Sequence, residues 1–239
     1  MTTLDCASTL RLNPQNIKAY YRSSLALLAL DKLPEAFDTC TRGLTIDPGN
    51  TALESLFFEK LQPREAELRA RSQKQNAQLE RARQETLVLA AALRARGLRT
   101  RTTAQPPDME DASIHLSPDP ISPKSTLVFP VILLYPLHAQ SDFIKAFPEQ
   151  DTIPQHLEYI FPLPWDTAHE YSIGSVEFYM ETISGGLIKV GRNMSLLGIL
   201  GGGKVEIVDG VVRVNVLLKG KAGKWIEEVK ARKGKSQGR

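Results

Sequence analysis

The sequence contains few of the residues that build disulfide frameworks and metal sites. Its 239 residues include two cysteines and four histidines. Cys6 and Cys40 give neither a disulfide framework nor the paired spacing of a metal site, and the histidines form no cluster. We therefore expect no metal and no cofactor.

Long apolar runs are also missing. No run approaches the roughly 18 to 20 apolar residues that cross a bilayer, and residues 1–10 lack the basic and apolar regions of a secretory signal peptide. These absences predict an intracellular protein without membrane contact, located in the cytoplasm with the nucleus as a second site. The length allows one large or two modest domains, at roughly 100 to 200 residues per domain.

The sequence lacks the spacing of a catalytic nucleophile. Residues 198–204 begin like a phosphate-binding loop, but Val205 occupies the position where Ser or Thr must hold magnesium. A helix is expected before this stretch and a β-hairpin after it, whereas a phosphate loop needs a strand and then a helix. We therefore predict a flexible turn here and a protein that is not an enzyme.

The front of the chain carries a repeat with a period of 34 residues, which separates Pro14 from Pro48 and Cys6 from Cys40. Apolar residues from Ile17 to Leu30 recur at helical spacing. This period, with a proline that closes each unit, resembles the tetratricopeptide repeat, in which two antiparallel helices form each unit.

A second helix is expected to begin at Leu33, with Pro34 in its permitted first turn. Residues 1–12 look like only the second helix of a preceding unit, and Gly43 occupies a position where the repeat family has alanine. About three stacked repeats are generally needed for stability. We therefore expect that this chain lacks its natural N-terminal part.

One pair of cations on the first helix of the complete repeat predicts a binding site. Lys18 and Arg22 lie four residues apart, so their side chains share a face. The stretch 18–22 resembles part of the dicarboxylate clamp of co-chaperones that bind the acidic C-terminal tails of heat-shock protein 90 and 70 type chaperones. The resemblance implies that Lys18 and Arg22 hold carboxylates of such a tail; the alternative is an ordinary solvated face.

The middle of the chain is rich in helix-forming residues and then in proline and acids. We expect a partial repeat array over residues 1–62, whose last helix Pro63 breaks or kinks, a long polar helix over 63–98, and an acidic, disordered or extended linker over 99–125. The long helix and the basic tail at 233–239 leave open a ribosome- or RNA-associated scaffold, although no nucleic acid is our first expectation.

Residues 126–232 alternate short apolar runs with turns, which predicts an α+β domain: an antiparallel-rich sheet with packed helices. Its first strand is expected at residues 127–135, with an edge or bulge at Pro130. Short helices are expected at 141–147 and 153–160. The Asp209-Gly210 turn predicts a hairpin between 204–208 and 211–218.

Several sequence segments between Phe129 and Gly220 resemble the C-terminal wheel domain of the co-chaperone family that includes fungal Cns and tetratricopeptide-domain protein four. Among these segments are FPVILLYP and KVEIVDGVVRVNVLLKG. The resemblance implies an adaptor that binds the two chaperones and supports the folding of clients such as a translation elongation factor.

A client could bind an aromatic groove formed by Phe161, Trp165 and Tyr171, or these residues could be a buried anchor. A peptidyl-prolyl isomerase linked to the repeats is the enzymatic alternative.

Overall fold

The computed structural model describes residues 3–236. Contacts divide the chain into two compact units, residues 1–81 and 82–239, so the division falls inside a long helix. Residues 237–239 of the predicted basic tail lie outside the described residues.

The front unit is all helical. Its helices are α1 (Thr3–Leu12), α2 (Ile17–Ala29), α3 (Leu33–Ile46), α4 (Thr51–Ser55), a π-helical turn (Leu56–Leu61) and α5 (Gln62–Ala95), which continues into the second unit.

The helix starts repeat with the period of the sequence. Asn16 caps α2 by accepting a hydrogen bond from the Ala19 N–H at 3.2 Å, and Asn50 caps α4 by accepting one from the Leu53 N–H at 3.1 Å. Asn16 and Asn50 are 34 residues apart. An Asn side chain satisfies an N–H that has no partner within the helix, so each asparagine begins a helix at the equivalent place. The repeat and its two helices, α2 and α3, are confirmed.

Small residues let the repeat helices approach closely. Ala36 and Cys40 of α3 are completely buried and share a core with Leu53. A Cβ built at Gly43 would lie 2.8 Å from the Leu53 Cδ1 and 3.0 Å from the Tyr20 Cβ. A methyl group at this position would therefore force Leu53 or Tyr20 to shift, and glycine, in the position of the family's alanine, avoids this crowding.

Pro63 does not break the helical path. It is the second residue of α5, and the turn before it is π-helical, with the Gln62 N–H donating to the Phe57 carbonyl. A proline lacks an N–H and its ring clashes with the preceding turn, and a π-turn relieves this crowding by widening the helix.

The back unit is an α+β unit, which confirms the predicted fold class. Its elements after α5 are β1 (Thr100–Arg101), β2 (His115–Ser117), β3 (Thr126–Tyr135), β4 (Gln140–Pro148), α6 (Ile153–Ile160), β5 (Val176–Glu181), β6 (Leu187–Val190), α7 (Leu196–Leu200), β7 (Ile207–Val208), β8 (Val212–Leu218) and α8 (Ala222–Ser236).

The main sheet has six strands: five follow the order β2-β3-β8-β5-β6, and the sixth, β4, also pairs with β3. Only the β3/β8 pair in this sheet is parallel. The ladder between β3 and β4 shifts register between Phe129 and Val131, so the predicted irregularity at Pro130 is confirmed as a bulge. Proline cannot donate to a ladder, and a bulge leaves its position unpaired.

The predicted helix at residues 141–147 is wrong, because this segment belongs to β4. Ala139, at φ 51°, turns the chain back so that Gln140 pairs with Tyr135. Pairing along β3 occupies the backbone groups that a helix would need, and the partly buried Asp142 and Ile144 alternate with exposed neighbours as a strand requires.

The predicted hairpin around Asp209-Gly210 is only partly present. Both residues have positive φ, 56° and 73°, as a tight two-residue hairpin turn requires. The strands then separate after the single bridge Val208–Val211, since β7 pairs in parallel with β1 while β8 enters the main sheet between β3 and β5.

The predicted linker at 99–125 is extended but belongs to the back unit. Thr100 and Arg101 form β1, and β2 pairs with β3, which buries Leu116 to 3% exposure. Asp209 accepts hydrogen bonds from the N–H and the hydroxyl of Thr103. Strand pairing, one buried leucine and these hydrogen bonds together attach the segment to the sheets.

The end of α5 is joined to the sheet by a buried ion pair. The Glu149 side chain is 3% exposed, and its Oε2 lies 2.7 Å from the Arg96 Nε. Its Oε1 accepts hydrogen bonds from the Arg96 Nη2 and from the Leu127 N–H. Arg96 also donates to the Ser125 carbonyl, so one guanidinium connects the helix to the start of β3.

Candidate functional site

The predicted pair of cations lies on one face of α2. Lys18 and Arg22 are both exposed, whereas Ala19, Ser23 and Ser24 on the same helix are buried. The buried residues are small, so α2 packs closely against its neighbours while the two long side chains extend outward. The structure therefore brings Lys18 and Arg22 together on a rigid helix.

The two cations can bind carboxylates. Side chains four residues apart on a helix have Cβ atoms about 5–6 Å apart, which suits two neighbouring carboxylates or one carboxylate held from both sides. No ion pair of Lys18 is found among the described residues, so its ammonium can accept an anion without breaking one. Arg22 offers a planar guanidinium that can bind a carboxylate through two hydrogen bonds.

The second set of predicted residues does not form one open groove. Trp165 is half-buried and Tyr171 is 4% exposed, and their rings meet edge to face with centroids 5.1 Å apart. Phe161 packs on the same core, but no ring contact of Phe161 is found in the described part of the chain. Client binding at these residues stays a prediction.

Two residues that sequence reasoning missed complete this aromatic cluster. Tyr135 lies at the end of β3, and its ring centroid is 5.2 Å from that of Trp165 and 5.6 Å from that of Tyr171. The centroid of the His138 ring is 5.2 Å from that of Trp165 and 5.5 Å from that of Tyr171. The tight turn after β3 brings His138 over Trp165, and no local pattern in the sequence indicates this pairing.

The tyrosines of the cluster have raised pKa values. Burial, followed by the charges of Asp166 and Glu170, raises the pKa of Tyr171 to about 12. Burial is also the main reason that the pKa of Tyr135 is raised, and the carboxylate of Asp142 adds to it. Both phenols stay neutral at physiological pH, which favours a structural cluster over an acid–base site.

Neither cysteine is a candidate nucleophile. Cys6 and Cys40 are buried thiols, and burial raises the pKa of Cys40. A thiol needs a lowered pKa and access to react. Across residues 3–236, no group of three or more His, Cys, Asp or Glu side chains is arranged to hold a metal ion. The helices described here include none with the length and apolar character of a membrane span.

Comparison with known proteins relates both units to one family. Residues 119–229 match the family model of the "Cns1/TTC4 Wheel domain". The chain is 37% identical to "Hsp70/Hsp90 co-chaperone cns1" of Schizosaccharomyces pombe over 96% of its own length, and 31% identical to "Tetratricopeptide repeat protein 4 homolog" of Dictyostelium discoideum over 74%.

A solved structure has the same fold across both units. "Hsp90 co-chaperone Cns1 from Saccharomyces cerevisiae (delta69)" superimposes with a TM-score of 0.81 at 27% identity, covering 95% of this chain and 75% of that one. The chain spans 64% of the length of the Schizosaccharomyces relative and 46% of the Dictyostelium relative.

Proposed function

Because this chain belongs to the Cns1/TTC4 family, we propose that it is a co-chaperone adaptor whose α2 face binds the acidic C-terminal tail of Hsp90 and Hsp70 type chaperones. The observation that carries the proposal is the exposed pair Lys18 and Arg22, four residues apart on the first helix of a complete repeat. The relatives reported above are named as co-chaperones or as a repeat protein, and none is named as an enzyme. The proposed adaptor accordingly binds and does not catalyse.

The chemistry of a chaperone tail fits this face. A peptide that ends in Glu-Glu-Val-Asp carries a terminal carboxylate and several side-chain carboxylates. Each hydrogen bond between such a group and a charged donor contributes on the order of 1.5–3 kcal/mol. Ala19, Ser23 and Ser24 are small and buried, so α2 can pack closely against its neighbours while it presents the two cations.

Calorimetric titration of this chain with an acetylated peptide ending in Glu-Glu-Val-Asp tests the proposal. Lys18→Ala and Arg22→Ala should each weaken binding by about tenfold or more, the equivalent of 1.4 kcal/mol. Lys32→Ala removes an exposed lysine from the same unit and should change affinity by less than about twofold, because its charge acts only through screened solvent. Equal affinity in all three variants, or no binding by the parent chain, would contradict the clamp.

We also propose, from the resemblance in sequence, that the back unit supports the folding of a client such as a translation elongation factor. This proposal predicts that the chain increases the yield of the refolded factor in a mixture with the chaperones. A chain that lacks residues 119–229 should lose the effect, and an unchanged yield without these residues would contradict it.

A further inference from the structure

The main sheet ends in a strand whose outer edge is unpaired. β6 is the last strand of the sheet, and within residues 3–236 no other strand pairs with its outer side. At the end of the hairpin, the Thr182 N–H donates to the Gly186 carbonyl at 2.9 Å. Bonded and non-bonded pairs alternate along an antiparallel ladder, so the N–H and C=O groups of Leu187 and Lys189 point away from β5. These groups can hydrogen-bond an added strand.

A groove runs beside this edge. It has a volume of about 460 Å³. Its lining includes the apolar side chains of Ile188 and Val190 of β6 and of Met194 before α7, together with Gly198 and Gly202. A Cβ at Gly198 would meet no atom closer than the Ser195 Oγ at 3.4 Å. The missing side chains leave room for those of a strand placed next to β6. We call the edge and this cavity the β6 groove.

The charge of the β6 groove selects an acidic occupant. The lining contains two lysines, Lys189 and Lys204, and no acidic residue. The Lys189 Nζ is already paired with Glu177 at 2.7 Å, but no ion pair of Lys204 is found in the described part of the chain. Pairing of β6 with β6 of a second copy would bring like charges together, which disfavours a symmetric dimer at this edge.

The opposite edge of the sheet is not equivalent, because the chain itself lies beside it. Asp111 forms an ion pair with Lys145 of β4. Residues 108–110 lie beside Ser141 and Phe143, near the start of the same strand. Exposed strand edges attract other strands, and a segment that lies beside β4 hinders the approach of a further strand there. Within the described residues, no such segment is paired with the outer edge of β6.

We propose that the β6 groove binds an extended acidic segment of a partner protein, which adds to the sheet as a new strand. Alternate side chains of a strand point to the same face, so two apolar side chains two residues apart enter the cavity above Gly198 and Gly202. An acidic side chain two residues further along meets the ammonium of Lys204. The backbone bonds at Leu187 and Lys189 provide affinity for any extended chain, and the cavity and Lys204 provide selectivity.

The probe is the blocked peptide acetyl-Glu-Thr-Val-Thr-Val-Thr-Glu-amide. Its sequence reads the same in both directions, so the valines and glutamates share one face whether it binds parallel or antiparallel to β6. We expect saturating peptide to slow amide hydrogen exchange at Leu187 and Lys189, and to leave Ile188 and Val190 unchanged because β5 already holds their amides. Successive amides of a strand point to opposite sides, so either the valine or the threonine amides of the bound peptide face β6. N-methylation of the set that faces β6 should abolish binding, and N-methylation of the other set should not. Failure of the peptide to bind, or binding without protection at Leu187 and Lys189, would overturn the proposal.

Two variants test the selectivity of the groove. Lys204→Glu should weaken peptide binding by about tenfold, whereas Lys224→Glu, an equal charge reversal on α8, should change it by less than about twofold. Gly198→Leu should weaken binding by filling the cavity, with melting temperature as the check that the fold is kept. Equal binding of a peptide with Lys in place of Glu would overturn the charge argument. A dimer of the free chain in sedimentation that Lys189→Glu alters would show a second copy at the edge instead.

Lys18 lies in the other unit, so this test is independent of the proposed chaperone clamp. Lys18→Ala should leave the binding of the threonine–valine peptide unchanged.

Discussion

At the scale of single residues, the buried pair of Arg96 and Glu149 is the most sensitive contact of the back unit. The carboxylate accepts hydrogen bonds from the Leu127 N–H and from the guanidinium, and both charges are largely removed from water. Breaking such a pair leaves an uncompensated buried charge, which is more costly than the loss of the attraction alone.

Arg96→Ala should lower the free energy of unfolding by about 3–5 kcal/mol, because it leaves the Glu149 carboxylate buried without a counter-charge. Urea unfolding followed by circular dichroism measures the change. Arg94→Ala, an exposed neighbour on α5, should stay within about 0.5 kcal/mol of the parent. An equal effect of the two variants would show that the pair is not important for stability.

Tyr171 makes the stability of the fold sensitive to pH in the alkaline range. Its pKa is raised from 10.0 to about 12 in the folded chain, so folding favours the neutral phenol. The stabilisation is fully present below pH 10 and is lost as pH rises through the folded pKa of about 12. We expect the free energy of unfolding to fall over this window, and to fall less steeply in Tyr171→Phe.

Tyr171→Phe is informative at neutral pH as well. No hydrogen bond of its hydroxyl is found among the described residues, so removal of the oxygen should change stability by less than about 1 kcal/mol. Tyr171→Ala should cost about 3–5 kcal/mol, because it opens a cavity among Tyr135 and Trp165. A similar loss of stability in the two variants at pH 7 would show that the Tyr171 hydroxyl has a hydrogen-bond partner after all.

At the scale of elements, the repeat hairpin depends on a glycine in the middle of a helix. Alanine is ordinarily better than glycine in a helix by about 1 kcal/mol. A Cβ at Gly43, however, would lie 2.8 Å from Leu53 and 3.0 Å from Tyr20.

Gly43→Ala should therefore lower stability, because overpacking typically costs about 1–3 kcal/mol and exceeds the gain in helix propensity. Gly49→Ala is the matched control, since no atom lies within 4 Å of a Cβ built there. Thermal unfolding should show a lower melting temperature for the first variant and little change for the second. A higher melting temperature for Gly43→Ala would contradict the close approach of α2, α3 and α4.

Elements with a strong local signal were predictable from sequence. The period of 34 residues gave α2 and α3, and Pro130 correctly indicated a bulge in the β3/β4 ladder, where two residues of β4 lie opposite it. β4 was not predictable, because Ser141 and Asp142 are typical helix caps and only pairing with β3 makes the segment a strand. The attachment of residues 99–125 was missed for a similar reason, since strand pairing, the buried Leu116 and hydrogen bonds to Asp209 hold a segment that looks disordered by composition.

At the scale of the whole molecule, the two units carry different kinds of recognition. The front unit presents charged side chains, Lys18 and Arg22, on a helix, which suits carboxylates. The back unit presents unpaired backbone at β6, which suits an extended segment. The sequence indicated the first surface by residue spacing. It could not indicate the second, because the edge position of β6 depends on strand order.

The central claim is that Lys18 binds a carboxylate of the chaperone tail, and a double-mutant cycle by calorimetry tests it most directly. The parent chain and Lys18→Ala are each titrated with the peptide ending in Glu-Glu-Val-Asp and with the same peptide amidated at its C-terminus and with Asp replaced by Asn. Direct contact predicts a coupling on the order of 1.5–3 kcal/mol, so that removal of the carboxylates weakens the parent far more than the variant. Equal losses in both chains, and thus a coupling near zero, would contradict the claim.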